Sequence, residues 1–402
     1  MSSSQYGRFY ASQVGIGIKV LSAKEKKAMR ETEQIHLSFG DPTPDTFPND
    51  EVVEALALAL KEEPDRVLQY GAGEVAEDLA VFLLERAAGR GMVASREQLL
   101  VTNGATEGMD LIGRIFLDPS DVIMTEAPTF MGALSVFRKF GVQIQGCEVD
   151  GDGLRTDLLE ETLRERLECG EPMPKFLYVI ANFQNPTGTT MSLDRRRHLL
   201  ELAERFDFLI VEDEAYGELR LEGEDVPTLW ALDEGGRVLH LGTYAKVIAP
   251  GLRLGWVLAA EELTAQLMAM RPGYSNGASE SLAAKYCRMV DFDQRVASIR
   301  AVYRQRRDVM LEALEEHMPA DITWNRPEGG LFIWMEIPGE VDPDAFVEEA
   351  ARRGVALLST SIFYPDGVGG NGLRLSYSQE PLDRLRRAVE IMAGLLEEML
   401  DR

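Results

Sequence analysis

The sequence predicts an α/β protein with a larger domain built on a mostly parallel sheet and a smaller α+β domain. From about residue 51, helical patterns alternate with short, continuous apolar runs, which are typical of parallel strands buried on both faces. The chain has 402 residues, more than one hydrophobic core usually organises. After residue 278 the pattern changes to long helices mixed with short strands. These three observations together indicate two domains.

The larger domain has seven strand candidates, six apolar runs and the segment 143–145, and helical stretches follow most of them. They span residues 99–101, 122–124, 143–145, 176–180, 208–211, 238–241 and 254–258. Ligands of parallel sheets gather at the carboxyl ends of the strands. The polar residues that follow each run are therefore the candidates for a binding site.

The smaller domain begins with a helical pattern that runs from residue 278 to about residue 315. Strand candidates follow at residues 322–324, 331–334, 355–358 and 373–376, with a helix at 343–353 and a closing helix to residue 399. The first 47 residues are too few to form a core of their own.

Composition and charge are typical of a soluble globular enzyme, with 45% hydrophobic and 27% charged residues. A net charge of −25 opposes binding to nucleic acid or to anionic membrane surfaces, so neither is an expected partner. The first ten residues are polar and no apolar stretch approaches membrane-spanning length, which predicts neither a signal peptide nor a transmembrane helix. We expect a cytoplasmic protein.

Neither the cysteines nor the histidines are spaced as metal ligands. The three cysteines lie far apart and form no Cys-x-x-Cys pair, which predicts a reducing compartment without structural zinc. The four histidines, at positions 36, 198, 240 and 317, also lack metal-ligand spacing. No metal site is expected.

Lys246 follows the apolar run 238–241, where a buried strand would place a lysine in a cleft. An amine held among apolar neighbours has a lowered pKa and can form an imine with an aldehyde. Arg253 follows seven residues later, and Pro250 with Gly251 enforces a turn between the two cations. An imine-forming amine and a phosphate-binding guanidinium suit the two ends of pyridoxal phosphate (PLP).

The stretch 242–255 resembles the cofactor-lysine signature of class I/II aminotransferases, the fold-type I PLP enzymes, which usually reads Ser-Phe-Ser-Lys followed by Pro-Gly-x-Arg-x-Gly. Thr243 stands for the first serine and keeps a hydroxyl for the phosphate, whereas Ala245 gives one up. The likeness is greatest to the subgroup of α-aminoadipate, kynurenine and other broad-range aminotransferases. It implies that Lys246 binds PLP and moves the proton between the substrate α-carbon and C4′ of the cofactor.

The segment 208–216 resembles the family's strand that ends in Asp-x-Ala-Tyr. Through this resemblance, Asp213 is expected to pair with the pyridinium nitrogen and so to maintain the electron sink. Tyr216 is expected to hydrogen-bond the phenolic oxygen of PLP. Glu212 and Glu214 flank Asp213, so acidity alone does not choose among the three carboxylates; the spacing to Tyr216 does.

Two loops resemble further parts of the family's cofactor site. The turn at 181–188 carries Asn-Pro-x-Gly, which implies that Asn185 donates to the phenolic oxygen and borders the substrate. The loop at 101–108 joins a strand to an amphipathic helix and places small residues where N–H groups and the helix dipole can hold a phosphate. The resemblance assigns the phosphate cup to Gly104, Ala105, Thr106, Thr243 and Arg253.

Two aromatic residues also match family positions. Segment 125–130 matches Glu-x-Pro-x-aromatic, and Phe130, in place of the usual tyrosine, would stack on the pyridine ring. Segment 68–71 resembles the one in which a tyrosine crosses a dimer interface to the neighbour's cofactor phosphate. Tyr70 would play that part, which implies a homodimer with shared active sites.

The substrate carboxylate is expected at Arg374. Its segment, 371–376, looks like the family's arginine that binds the α-carboxylate through a bidentate fork. Segment 35–42 resembles the N-terminal Gly-x-Pro stretch whose backbone, at Gly40, closes over the same group.

The matches run in the family's order from about residue 35 to residue 376. They imply an N-terminal arm at 1–47 that joins the small domain, a large PLP-binding domain at 48–290 and a small C-terminal domain at 291–402. The expected function is PLP-dependent transfer of the amino group of an L-amino acid to a 2-oxoacid, with 2-oxoglutarate as the expected acceptor, by a ping-pong route.

Two alternatives stay open on the same residues. A PLP-dependent carbon–sulfur β-lyase would use the same scaffold. A ligand-sensing domain would occur behind a DNA-binding head, as in some bacterial regulators, although the acidic charge and the start of the similar region near residue 35 disfavour it.

Overall fold

The computed structural model describes residues 33–70, 76–273 and 275–401. Most of the expected N-terminal arm, residues 1–32, lies outside the described residues. Within the described part, no helix is long and apolar enough to cross a bilayer.

In the described ranges, the strands form one large sheet and two small ones. In chain order they are β1 Ile35–His36, β2 Leu99–Thr102, β3 Val122–Ala127, β4 Gln143–Asp150, β5 Gly153–Leu154, β6 Phe176–Val179, β7 Leu209–Glu214, β8 Val238–Thr243, β9 Gly255–Leu258, β10 Thr323–Trp324, β11 Phe332–Glu336, β12 Val355–Ala356 and β13 Gly372–Ser376. The large sheet has the order β2-β9-β8-β7-β6-β3-β4-β5. Its central strands β4, β3, β6, β7 and β8 are parallel, and β9 runs antiparallel to both neighbours.

All seven strand candidates of the larger domain form strands of this sheet, so the predicted α/β class is confirmed. The eighth strand, β5, was not predicted. It has two residues and pairs antiparallel with β4 through Val149 and Leu154, so it is too short to register as an apolar run.

The helices pack on both faces of the large sheet and in the smaller domain. They are α1 Asn49–Glu62, α2 Pro64–Leu68, α3 Glu77–Gly89, α4 Ala105–Phe116, α5 Met131–Phe137, α6 Thr156–Cys169, α7 Leu193–Phe206, α8 Leu229–Leu232, α9 Glu261–Met270, α10 Gly277–Met289, α11 Phe292–His317, α12 Pro343–Arg352 and α13 Leu382–Leu400. Along β6, Phe176 and Tyr178 enter the core under α4 and α5, whereas Leu177 and Val179 enter the core under α6 and α7. This alternation explains why the strand is apolar at every position.

The single long helix expected after residue 278 is two helices, α10 and α11. They separate at Val290 and Asp291, because the Asp291 carboxylate accepts a hydrogen bond from the backbone N–H of Gln294 and so caps the start of α11. Beyond them, β10, β11 and β13 form an antiparallel sheet, and β1 pairs in parallel with β12.

Candidate active site

The carboxyl end of β7 places three acidic side chains on alternating faces of the sheet. Asp213 is buried, and its Oδ2 accepts a hydrogen bond of 2.6 Å from the Tyr178 hydroxyl. Its Oδ1 is buried and has no hydrogen-bond partner among the described residues. Burial raises the pKa of Asp213 to about 6, against the lowering effect of the Tyr178 hydrogen bond. A buried acceptor of this kind suits a ligand that brings its own N–H.

The two flanking glutamates are fully engaged elsewhere. Glu212 accepts hydrogen bonds from the backbone N–H groups of Leu229 and Trp230 and also pairs with His240. Glu214 binds Arg90 and the Asn182 amide. Because successive side chains of a strand point to opposite faces, neither glutamate shares the face of Asp213.

Asn185 connects two of the expected site residues. Its amide Nδ2 donates to the Tyr216 hydroxyl over 3.3 Å, and its Oδ1 accepts from Arg374 Nη1 over 2.8 Å. All three side chains are buried, with burial raising the pKa of Tyr216 above its ordinary value. The loop after β6, the end of β7 and strand β13 therefore meet at one point.

Arg374 lies between two aromatic rings. The guanidinium carbon is 4.4 Å from the ring centre of Phe332 and 4.8 Å from that of Phe363. Nη2 donates to the Ser38 carbonyl, whereas Nε has no hydrogen-bond partner in the described part of the chain. Burial lowers the pKa of Arg374 to about 10, which leaves it cationic at neutral pH.

The N-terminal segment touches both Arg374 and Lys246. The Lys246 amine, three residues past β8, donates to the Gly40 carbonyl over 2.9 Å. Gly40 packs so closely on the Phe332 ring that a Cβ there would overlap it. Gly40 thus brings its carbonyl to the lysine because it has no side chain.

Gly104 caps the 12-residue helix α4 from the position before its first residue, with a φ of +84° in the left-handed region that favours glycine. A Cβ at Gly104 would overlap the guanidinium of Arg253, whose Nη2 donates to the Asn103 carbonyl. The first N–H groups of α4, at Ala105 and Thr106, therefore lie beside a guanidinium. The N–H groups of a first helical turn, a helix dipole and a cation together make an anion site.

Two expected site residues have other surroundings in this structure. The Thr243 hydroxyl gives its only proton to the Leu254 carbonyl and accepts from the N–H of Ala245, so it has no proton left for a phosphate. Tyr70 is 84% exposed, just beyond α2.

Phe130 is half-buried at the start of α5, and the neighbouring Thr129 N–H bonds the Phe363 carbonyl.

Sequence reasoning missed Tyr178, Phe332 and Phe363. The first two lie in apolar runs, where an aromatic residue is usually interpreted as core. Only the pairing of β6 with β7 and of β11 with β13 shows which functional group each one faces. In the described ranges, no cluster of three or more potential ligands could hold a metal ion.

Comparison with known proteins agrees with this geometry. The family model "Aminotransferase class I and II" matches residues 32–391. The chain belongs to this family. Aromatic-amino-acid aminotransferase 1 of Thermococcus litoralis is 36% identical over 97% of this chain and 94% of its own length. The 2-aminoadipate transaminase of Thermus thermophilus is 35% identical over 90% of this chain and 91% of its own.

Solved structures show the same fold. The multiple substrate aminotransferase of Thermococcus profundus superposes with a TM-score of 0.92 at 35% identity, covering 99% of this chain and 100% of that one. The kynurenine aminotransferase of Pyrococcus horikoshii, in complex with PMP, has a TM-score of 0.92 at 33% identity, with 98% of both chains covered.

A further sequence relative, an uncharacterized transcriptional regulator of Bacillus subtilis, is 30% identical over 94% of this chain and 75% of its own.

This aminotransferase therefore uses PLP, as the sequence resemblance predicted. Its residues fit that cofactor. The partnerless Oδ1 of Asp213 suits the N–H of a pyridinium, and the cradle between Gly104 and Arg253 suits a phosphate. The fold class and the transaminase activity expected from the sequence are likewise confirmed.

Proposed function

We propose that this aminotransferase moves the amino group of a range of L-amino acids, including aromatic and acidic ones, to 2-oxoglutarate by a ping-pong route. The observation that carries the proposal is the double contact of Asn185, which joins Tyr216 on the cofactor side to Arg374 on the substrate side. A buried guanidinium at that point selects molecules that carry a carboxylate. The donor range rests on relatives named for aromatic amino acids, 2-aminoadipate and multiple substrates.

Each residue near PLP has a separate task. PLP supplies the electron sink that stabilises negative charge at the substrate α-carbon. Asp213 holds the proton on the ring nitrogen, and Lys246 binds the cofactor and later carries a proton between the α-carbon and C4′. Asn185 and Tyr216 hydrogen-bond the phenolic oxygen, while Phe130 stacks on the ring.

The phosphate cup consists of backbone and side-chain donors of the large sheet and its helices. We assign it to Gly104, Ala105, Thr106 and Arg253, with Tyr70 of a second copy reaching in from outside. The Thr243 hydroxyl now donates its proton to the Leu254 carbonyl, so Thr243 joins the cup only if this hydroxyl turns away from Leu254.

The substrate carboxylate binds Arg374 beneath the segment that contains Gly40. Among the described residues, Nε of this arginine has no partner and Nη2 contacts backbone, at Ser38. The Lys246 amine leaves the Gly40 carbonyl when it turns to the cofactor, which frees this carbonyl at the edge of the substrate site.

A cytoplasmic homodimer with shared sites completes the proposal, with domains at 1–47, 48–290 and 291–402. The exposure of Leu68 (76%) and Tyr70 (84%), two large side chains close together in the chain, supports a buried position in an assembly. The parallel pairing of β1 with β12 supports an arm that joins the small domain. The net charge of −25 disfavours nucleic acid and anionic membranes as partners.

Mixing the yellow PLP form with one amino acid at a time, and recording conversion to the pyridoxamine form, tests the donor range. Adding 2-oxoglutarate, pyruvate or oxaloacetate to the pyridoxamine form then tests the acceptor. Recovery of the PLP form with pyruvate but not 2-oxoglutarate contradicts the acceptor assignment.

The same preparation separates the alternatives. A β-lyase releases pyruvate and ammonia from cysteine conjugates when no 2-oxoacid has been added as acceptor. A ligand-sensing protein, as the similarity to a transcriptional regulator would suggest, does not convert to the pyridoxamine form, whichever amino acid is added.

A further inference from the structure

Tyr178 is a buried tyrosine whose hydroxyl bonds the carboxylate expected at the ring nitrogen. It lies in β6, paired in register with Val211 of the neighbouring strand β7. Its hydroxyl donates to Asp213 Oδ2 over 2.6 Å. The ring packs edge-on against Phe137 at 5.8 Å, so the surrounding core fixes the position of the hydroxyl.

This hydrogen bond makes the two oxygens of Asp213 unequal. Oδ2 is satisfied by Tyr178, whereas Oδ1 is buried and has no partner among the described residues. A carboxylate that turned about its χ2 angle would lose a charge-assisted hydrogen bond, which is among the stronger polar contacts in proteins. The carboxylate is therefore held with Oδ1 directed away from the tyrosine.

We propose that Tyr178 is a positioning residue that acts through Asp213: it aims Oδ1 at the ring nitrogen of PLP and keeps the carboxylate ionised, so that the ring nitrogen retains its proton. The inference rests on the proposed role of Asp213. A tyrosine hydroxyl suits this task because it donates a hydrogen bond without adding a charge.

The tyrosine keeps its proton throughout this task. Burial raises the pKa of Tyr178 well above the ordinary value, and the neighbouring Asp213 carboxylate raises it further. The hydroxyl therefore stays protonated, and so a donor, at neutral pH.

Other ionisable groups act on the charge of Asp213, Glu214 and His240 among them from the opposite face of the sheet. They are Glu126 on β3, Glu214 on β7 and His240 on β8. Burial raises the pKa of Glu126 to about 8, so it is neutral at pH 7 and adds no charge beside Asp213 there. Because a substitution at Tyr178 leaves these groups in place, a change in the cofactor's protonation reports on the tyrosine hydroxyl.

The test compares the wild type, Tyr178→Phe, Asp213→Asn and the double variant, each loaded with PLP labelled with ¹⁵N at the ring nitrogen. Two quantities are measured at pH 7: the ¹⁵N chemical shift of the ring nitrogen and the Kd for PLP. Without the hydroxyl, the buried carboxylate becomes more basic and takes the proton from the ring nitrogen. We expect the ¹⁵N shift of Tyr178→Phe to move toward the unprotonated value and the Kd to rise about tenfold.

Tyr377→Phe is the matched control. Tyr377 is equally buried, and its hydroxyl donates to the carbonyls of Gly329 and Gly330, away from Asp213. This variant should lower the melting temperature and leave the ¹⁵N shift of the cofactor at the wild-type value. In the Asp213→Asn background, adding Tyr178→Phe should change the Kd by less than about twofold, because the tyrosine then has no carboxylate to act on.

Three outcomes would overturn the proposed role of Tyr178. A wild-type ¹⁵N shift and Kd in Tyr178→Phe overturn the role of Tyr178 alone. A tenfold effect that persists in the Asp213→Asn background also overturns it, because the tyrosine would then act independently of Asp213. If Asp213→Asn itself has the wild-type ¹⁵N shift and Kd, the proposed role of Asp213 is overturned, and that of Tyr178 with it.

Discussion

Replacing Asp213 by asparagine removes one negative charge from the site and little else. Asparagine has nearly the same size, and its side-chain oxygen can still accept the hydrogen bond from Tyr178. The variant should therefore fold and bind PLP with modestly reduced affinity. The ring nitrogen of the bound PLP, however, loses the buried anion that keeps it protonated.

The expected loss of rate follows from burial. Asp213 is 3% exposed, and removing one partner of a buried ion pair typically costs about 3–5 kcal/mol. Each 1.4 kcal/mol corresponds to about tenfold in rate, so abstraction of the α-proton should slow by about a hundred- to several-thousand-fold.

Glu212→Gln and Glu214→Gln are the matched controls, because both side chains face away from Asp213. Glu212 accepts two backbone hydrogen bonds, at Leu229 and Trp230, so its loss should lower stability by about 1–3 kcal/mol. Neither control should slow proton abstraction more than a few-fold. Single-turnover conversion to the pyridoxamine form, with bound cofactor quantified, compares all three variants. A near-normal rate in Asp213→Asn would refute the role of this carboxylate.

The cofactor-free protein gives a second measurement of the same substitution. Burial raises the pKa of Asp213 from 3.8 to about 6. The Asp213 carboxyl group then binds its proton more tightly in the folded state than in the unfolded chain. The stability that this protonation contributes is lost as pH rises through 6. The total change is about 3 kcal/mol, of which about half falls between pH 5 and pH 8. Urea unfolding at these two pH values should show a larger loss of stability in the wild type than in Asp213→Asn, in which Glu126 still titrates; equal pH dependence in both would contradict the assigned burial effect.

Three further substitutions test the remaining parts of the site. Lys246→Ala should abolish turnover with the fold intact, and borohydride reduction of the wild type should label Lys246; a label on another lysine contradicts the assignment. Arg374→Lys should raise the KM for amino acids about tenfold to a hundredfold, because lysine cannot contact Asn185, Ser38 and a carboxylate together; an unchanged KM refutes it. Mixing inactive Tyr70→Ala and Lys246→Ala subunits should restore part of the activity, because a hybrid dimer contains one site with neither defect; no recovery after verified subunit exchange excludes the crossing role.

Local features were predictable from the sequence because they depend on neighbours along the chain. Strands buried on both faces, such as β6, are apolar at every position, so such runs located most of the large sheet. The same holds for the spacing from Lys246 to Arg253, which are separated by a short helical turn at Pro250–Leu252. The break between α10 and α11 was not predicted, because an aspartate within a helical pattern shows its capping role only when its hydrogen bonds are known.

The sequence by itself thus determined the fold class, the family and the segments that border the cofactor, since each depends on a contiguous pattern. Only the tertiary structure decided which way individual side chains face. It placed Asp213 and Glu212 on opposite faces of one strand, set Tyr178 of a neighbouring strand beside Asp213, and enclosed Arg374 between Phe332 and Phe363. The physical reason is that these contacts join residues 11 to 42 positions apart through strand pairing and core packing, which no local pattern encodes.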